Sequence, residues 1–118
     1  MKILKAYTYA GCGTCKKAVR FLRDRGVAFE EIPIREHPPT LAELKGALQA
    51  FRGEIRRLFN TSGRDYKEME LSKKLPTLSE SAALSLLAGN GNLVKRPFVV
   101  TGSGYLVGFK ESEWENIV

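Results

Sequence analysis

The stretch YAGCGTCKKA, residues 9–18, carries both cysteines of this 118-residue chain, Cys12 and Cys15. What surrounds the pair decides the fold. Upstream, Ile3 to Tyr9 reads as a β-strand, and Gly11 and Gly13 then mark a loop. Downstream, Cys15, Ala18, Val19 and Leu22 fall at i, i+3, i+4 and i+7, one face of a helix, while lysines and arginines take the other. This spacing predicts a helix from about Thr14 to Arg25, stopped by Gly26. The two cysteines therefore sit at a strand-to-helix junction.

Val27 to Ile34 reads as a second strand. After the turn EHPPT, Thr40 and Glu43 form a capping box ahead of a helix with Leu41, Leu44, Leu48 and Phe51 inward. Gly53 interrupts it. Ile55, Leu58 and Phe59 make a short second helix that NTSG ends, and Asp65 to Leu71 is a helical turn with Tyr66 and Met69 inward. The segment LPTLSESAALSLLAGNG predicts a further helix, capped by Ser79 or Ser81 and ended by Gly89. KRPFVVTG is a buried strand introduced by Pro97, and GYLVGF is its hairpin partner. KESEWENIV is a final helix with Trp114 and Ile117 inward. The order β-α-β, helices, β-β-α implies a parallel pair joined by a right-handed crossover and a closing antiparallel hairpin. That is an α/β fold, a four-stranded mixed sheet of thioredoxin or glutaredoxin type. A single domain over residues 1–118 is expected, with a helical insertion at about residues 40–90.

With 43% hydrophobic and 27% charged residues, the chain has the balance of a soluble domain and the length for a real core. No apolar run approaches the ~20 residues of a membrane span. The start, MKILKAYTYAG, lacks the apolar core and cleavage site of a signal peptide. A cytoplasmic location without membrane contact is expected, and there a lone cysteine pair is seldom a permanent crosslink. The 19 Lys and Arg against 13 Asp and Glu give a net charge of +6. These basic residues are scattered and never interleave with aromatics as in a nucleic-acid module, so direct nucleic-acid binding is not expected. Solubility and attraction for small anionic substrates account for the charge.

Taken alone, the Cys-x-x-Cys pair admits three readings. A metal site is poorly supported, because zinc takes four ligands and His37, in a proline-rich loop, is the one further candidate. Core filler suits Cys15, on the apolar stripe, but not Cys12, in a glycine-flanked loop. A redox pair suits both.

With the pair at a strand-to-helix junction and KRP ahead of a late strand, the chain resembles the arsenate-reductase-like family. The likeness runs through YAGCGTCKKA, LFNTSGRDYKEM, LLAGNGNLVKRPFVV and YLVGFKESEW, almost the whole chain. The family includes glutaredoxin-dependent arsenate reductases and Spx-type redox regulators of RNA polymerase. The resemblance implies a cis bond before Pro97, with that proline facing the active cysteine and Arg96 beside it as an anion or thiolate partner. It also implies that arsenate reduction needs one cysteine and three arginines. Arg96 matches the second arginine, Asn60 stands where the first falls, and the third falls near Gly108. Arg57, Arg64 or Lys110 are the residues that could reach in instead. These departures, and the second cysteine, count against arsenate reduction. The regulators share Cys-x-x-Cys and bind the C-terminal domain of the polymerase α subunit, a role that would need a basic or hydrophobic patch around Gly53.

On this reading Cys12 is the nucleophile. Unpaired backbone N–H groups and the helix dipole favour its thiolate, and Lys16, Lys17 and Arg96 are expected to add positive potential. Cys15 should be more buried, with a higher pKa, and act as the resolving cysteine. Gly13 and Thr14 are small enough to let the sulfurs approach, and Thr14 is expected to cap the helix, with donation to the thiolate as the alternative. Gly13, Thr14, Lys16, Asn60 and Pro97 are the candidate substrate- or anion-binding residues. Tyr7 and Tyr66 are expected to pack, and His37 to be an exposed loop residue. The implied function is a thiol–disulfide oxidoreductase with no bound cofactor, glutathione as a co-substrate, and glutathione, glutaredoxin or thioredoxin as electron donor. Arsenate reductase and Spx-like regulator are the alternatives.

Overall fold

The computed structural model describes residues 3–115, so the expected inward placement of Ile117 lies outside the described residues. Strand β1 (Leu4–Thr8) leads through the cysteine loop into helix α1 (Gly13–Asp24), which returns to β2 (Phe29–Pro33). Gly26, at φ +68°, turns the chain out of α1. Its N–H donates to the Arg23 carbonyl and that of Val27 to the Leu22 carbonyl, a double C-terminal cap. Helices α2 (Leu41–Ala50), α3 (Arg64–Glu68), α4 (Leu71–Lys74) and α5 (Glu80–Gly89) follow, with short 3-10 turns at Ile55–Leu58, Leu75–Thr77 and Gly91–Leu93. The hairpin β3 (Phe98–Val100) and β4 (Tyr105–Val107) and the helix α6 (Glu111–Glu115) complete the chain.

The sheet order is β2-β1-β3-β4. β1 runs parallel to β2, and β3 is antiparallel to both β1 and β4. This is the mixed, four-stranded, thioredoxin-like sheet that the element order predicts. Because successive strand side chains face opposite ways, the strands feed two cores. Ala6, Val99 and Leu106 pack with Ala18, Phe21 and Leu22 of α1 and with Trp114 of α6. Tyr7 and Phe98 face the other layer, with Leu44, Leu48, Leu84 and Leu87 of α2 and α5. Among the described residues no helix is long and apolar enough to cross a membrane.

The capping box forms as expected: Thr40 Oγ1 accepts the Glu43 N–H, and Glu43 Oε1 accepts the Thr40 N–H. Glu43 also accepts from Tyr7 Oη (2.7 Å) and Lys5 Nζ (3.3 Å), tying α2 to β1. Burial opposes the Glu43 charge, but these donors prevail and hold its carboxyl below the ordinary value. The same burial and the same carboxylate push the Tyr7 hydroxyl well above its own. Tyr7 is a structural tie.

Two expectations are corrected here. Leu41 is 44% exposed, because at the first position of α2 it points past the core that Leu44, Ala47 and Leu48 reach. The single turn expected over residues 65–71 is two helices, α3 and α4, separated at Glu70, whose φ of +53° breaks the helix. Tyr66 is buried as expected, and Met69 is half-buried.

One glycine fixes the join between the helical layer and the sheet. Gly91 is buried against the backbone of the segment that leaves β2. A Cβ there would run into the Ile34 carbonyl group and lie 3.1 Å from the Arg35 Cα. No larger residue allows this approach without moving main chain.

Candidate active site

The cysteine loop is held at both ends by the backbone. The Cys12 N–H donates to the Tyr9 carbonyl at 3.0 Å. Cys12 then takes an extended conformation (φ −95°, ψ 114°) as the N-cap of α1, and its Sγ accepts the Cys15 N–H at 3.3 Å. The sulfur thus meets an N–H that no helical carbonyl reaches. Helix α1 starts at Gly13, so Thr14 lies inside it and the cap is Cys12 itself, a correction to the expected role of Thr14. Gly13 and Thr14 are helical residues, and it is the helical turn that brings the cysteines together.

The two thiols are free and differ sharply in environment. Cys12 is half-buried and Cys15 is 2% exposed on the apolar face of α1. For Cys12, partial burial disfavours the thiolate, but the Cys15 thiol and N–H, the Arg96 charge and the Thr14 N–H outweigh it, and the pKa falls below that of an ordinary thiol. For Cys15, burial and the hydrogen bond to Cys12 dominate, and its pKa is pushed up to about 12. Lys16 and Lys17 are exposed and are not among the groups that stabilise the thiolate, against expectation. Lys16 lines a shallow depression with Cys15, Tyr9 and Arg23. The helix periodicity turns both lysines to solvent, and the effective cation comes from across the site.

That cation is placed by a short antiparallel ladder. Phe59 bridges Val94, the Asn60 N–H donates to the Leu93 carbonyl at 2.7 Å, and the Lys95 N–H donates to the Leu58 carbonyl at 2.8 Å. The ladder sets Asn60 and Arg96 on adjacent strands of chain. The Arg96–Pro97 peptide is cis, and Pro97 is buried where β3 begins. The Arg96 guanidinium sits 4.8 Å above the Tyr9 ring, that of Arg35 5.1 Å from it, and Arg35 Nη1 donates to Tyr9 Oη at 3.2 Å.

Around Tyr9 these groups form a cleft of about 320 Å³ walled by Arg35, Asn60, Arg64, Asp65, Asn92 and Arg96. Asn60 and Arg64 therefore do meet Arg96. Arg57 and Lys110 do not. They line a separate pocket with Thr61 and Glu113, where Arg57 lies over Phe51 at 4.2 Å and 3.9 Å from Glu113. Ser62 and His37 are exposed. Gly108, where the third arginine was expected to fall, is a buried turn at φ +67° whose carbonyl accepts the Trp114 indole N–H. The sequence reading missed Tyr9, Arg35, Asp65 and Asn92. They come from separate segments, Asp65 from α3 and Asn92 from the 3-10 turn at Gly91–Leu93, and no spacing within the chain brings them together.

A family model described as the ArsC family matches residues 7–117. The chain belongs to the ArsC family. It is 43% identical over 112 residues to the uncharacterized protein YusI of Bacillus subtilis, covering 95% of each. It is 27% identical to the global transcriptional regulator Spx of Enterococcus faecalis, covering 94% of this chain and 83% of the relative. An ArsC family related protein of Bacteroides fragilis superposes with a TM-score of 0.92 at 42% identity, over 99% of this chain and 98% of the other. The strand-to-helix cysteine loop and the cis-proline at the start of β3 are thus set in an ArsC-family fold.

Proposed function

We propose that the protein is a thiol–disulfide oxidoreductase in which Cys12 is the nucleophile and Cys15 the resolving thiol. The observation that carries this reading is the split between the two cysteines: one partly exposed, capped by an N–H and held below the ordinary thiol pKa, the other buried and held far above it. Thiolate is the attacking species. The Cys12 thiolate attacks one sulfur of a disulfide R–S–S–R′, the S–S bond breaks, and R′S⁻ leaves and is protonated. Cys12 is now neutral in a mixed disulfide. The charge and hydrogen bond that raised the Cys15 pKa are gone, and its ionisation eases. Cys15 gives up its proton and attacks Cys12 Sγ, RS⁻ leaves, and two electrons have passed from the protein dithiol to the substrate. Glutathione, glutaredoxin or thioredoxin then reduces the Cys12–Cys15 disulfide.

Cysteine-resolved alkylation against pH, read by mass spectrometry, tests this. Since only thiolate reacts, a lowered pKa means that Cys12 is modified rapidly at neutral pH, with a midpoint below about 8.5. Cys15 is expected to stay unreacted well into the alkaline range. Arg96→Gln removes the cation that favours the Cys12 thiolate. It is expected to move that midpoint upward and slow alkylation at neutral pH by up to about tenfold, one pKa unit. Equal, slow reaction of both cysteines would end the redox reading.

One observation favours a second reading, a redox-sensing regulator. Arg52, Gly53 and Arg56 are exposed on one turn, with Arg52 and Gly53 at φ +58° and +81°. Exposed basic residues around Gly53 support such a role. It predicts binding to the RNA polymerase α C-terminal domain that changes on oxidation of the dithiol, without turnover.

A further inference from the structure

Away from the cysteines, the helical layer buries a hydroxyl that its own packing does not use. Tyr66 is 4% exposed, with its ring 6.0 Å from that of Phe59. Among the described residues Tyr66 Oη is the one fully buried side-chain oxygen or nitrogen without a hydrogen-bond partner in the protein. A hydroxyl in that state has lost its hydration and gained no bond, and it calls for an explanation. Phenylalanine would fill the same space without that cost. The pocket that Tyr66 lines supplies a reason for the hydroxyl. The 3-10 turn Ile55–Leu58, α3, α4 and the 3-10 turn Leu75–Thr77 meet around a concavity of about 230 Å³. Its walls are Ile55, Arg56, Tyr66, Ser72, Leu75 and Pro76, and it shares no residue with the arginine-lined cleft.

Burial is graded across this pocket. Tyr66 and Leu75 are buried, Ile55 is half-buried, and Arg56, Ser72 and Pro76 are exposed. The inner end is therefore apolar apart from one hydroxyl, and the outer end carries a guanidinium. Among the described residues Arg56 is in no ion pair. This layout narrows the ligand. The volume lies below the range of about 300–1,000 Å³ for drug-sized ligands, so a single ring with short substituents is the size that fits. Ile55, Leu75 and Pro76 favour an apolar body. Tyr66 Oη can donate or accept, so the inner end of the ligand carries a hydroxyl or carbonyl oxygen. Arg56 favours a carboxylate at the outer end, as does the net charge of +6. We infer that this pocket binds a small aryl carboxylate, with an oxygen remote from the acid on Tyr66 Oη and the carboxylate on Arg56. The proposal involves neither cysteine, and it stands or falls apart from the oxidoreductase reading.

The probe is 4-hydroxyphenylacetate, titrated into the whole chain and followed by backbone amide NMR shifts. Saturable shifts are expected, centred on residues 55–56, 66 and 72–76 and absent around Cys12. Phenylacetate lacks the inner hydroxyl and should bind about fivefold more weakly, the scale of one neutral hydrogen bond. Tyr66→Phe should abolish that preference, so that both probes bind alike. Arg56→Gln should weaken 4-hydroxyphenylacetate by up to about fivefold, the scale of an exposed ion pair, and flatten its salt dependence. Without any probe, Tyr66→Phe should leave Tm unchanged or raise it, because an unpaired hydroxyl leaves the core. No saturable shift, shifts centred on other residues, or equal binding of the two probes by the unaltered chain would each overturn the inference. A fall in Tm for Tyr66→Phe would do so as well, by showing that the hydroxyl is already satisfied by internal water.

Discussion

Cys12→Ser is expected to lower disulfide turnover by at least about a thousandfold, the scale on which nucleophile deletions act, with almost no loss of stability. The serine hydroxyl is among the preferred N-cap acceptors, so it can take over the Cys15 N–H that Cys12 Sγ accepts now. The change in stability should stay within about 1 kcal/mol, and the lost activity cannot be charged to unfolding. Cys15→Ala should fail differently. It removes the resolving thiol while keeping a small apolar side chain in a site that is 2% exposed. Cys12 should then react once and stop, leaving a stoichiometric mixed disulfide visible as a mass increase of one substrate thiol. Turnover measured alongside intact mass separates the two. Full activity in Cys12→Ser, or no adduct in Cys15→Ala, would contradict the roles given to them.

Gly91→Ala is expected to be the most damaging single-methyl change in the fold. The added carbon meets main chain, the Ile34 carbonyl and the Arg35 Cα, and not a side chain that could rotate away. Relief requires the chain after β2 to separate from the chain after α5. Overpacking of this kind costs about 3 kcal/mol, roughly a 10 °C fall in Tm for a chain of this size. Gly89→Ala, two residues earlier, is the control. It lies at the end of α5 with nothing within 4 Å of the new carbon. There alanine should be neutral or stabilise by about 0.5–1 kcal/mol through backbone entropy and helix propensity. Two melting curves decide it, and equal Tm values would refute the packing account.

The strands, α1 and the placement of both cysteines were legible because each rests on a local rule: alternation, the 3.6-residue period, a glycine stop, the Thr40–Glu43 capping box. The difference in burial between Cys12 and Cys15 followed from the same helical period. Legibility ended where local rules end. Capping by Cys12 in place of Thr14 depends on a shift of two residues that propensity does not resolve. Leu41 carries the apolar character of an inward residue, but its angle on α2 is set by packing. The cleft was the least legible part. Tyr9, Arg35, Arg64 and Asn92 lie far apart in the chain, and only the parallel pairing of β1 with β2 and the ladder between residues 58–60 and 93–95 unite them. The resemblance singled out Asn60 and Arg96 and offered Arg64 as a substitute, and the fold supplied Tyr9, Arg35, Asp65 and Asn92.

That ladder has a bearing on how such a chain can diverge. It pins Leu58–Asn60 to Leu93–Lys95, so everything from Thr61 to Asn92 is an excursion that leaves and returns at one point beside the cysteines. Its ends carry Arg64, Asp65 and Asn92, while its far part, around Lys73, Lys74, Pro76 and Thr77, is exposed. Closing a longer loop between anchored ends adds little entropic cost. Insertions or wholesale sequence replacement at that outer part should therefore leave the geometry of Cys12, Arg96 and Tyr9 unchanged. One invariant reaction centre could in this way be fitted with many different outer faces for docking.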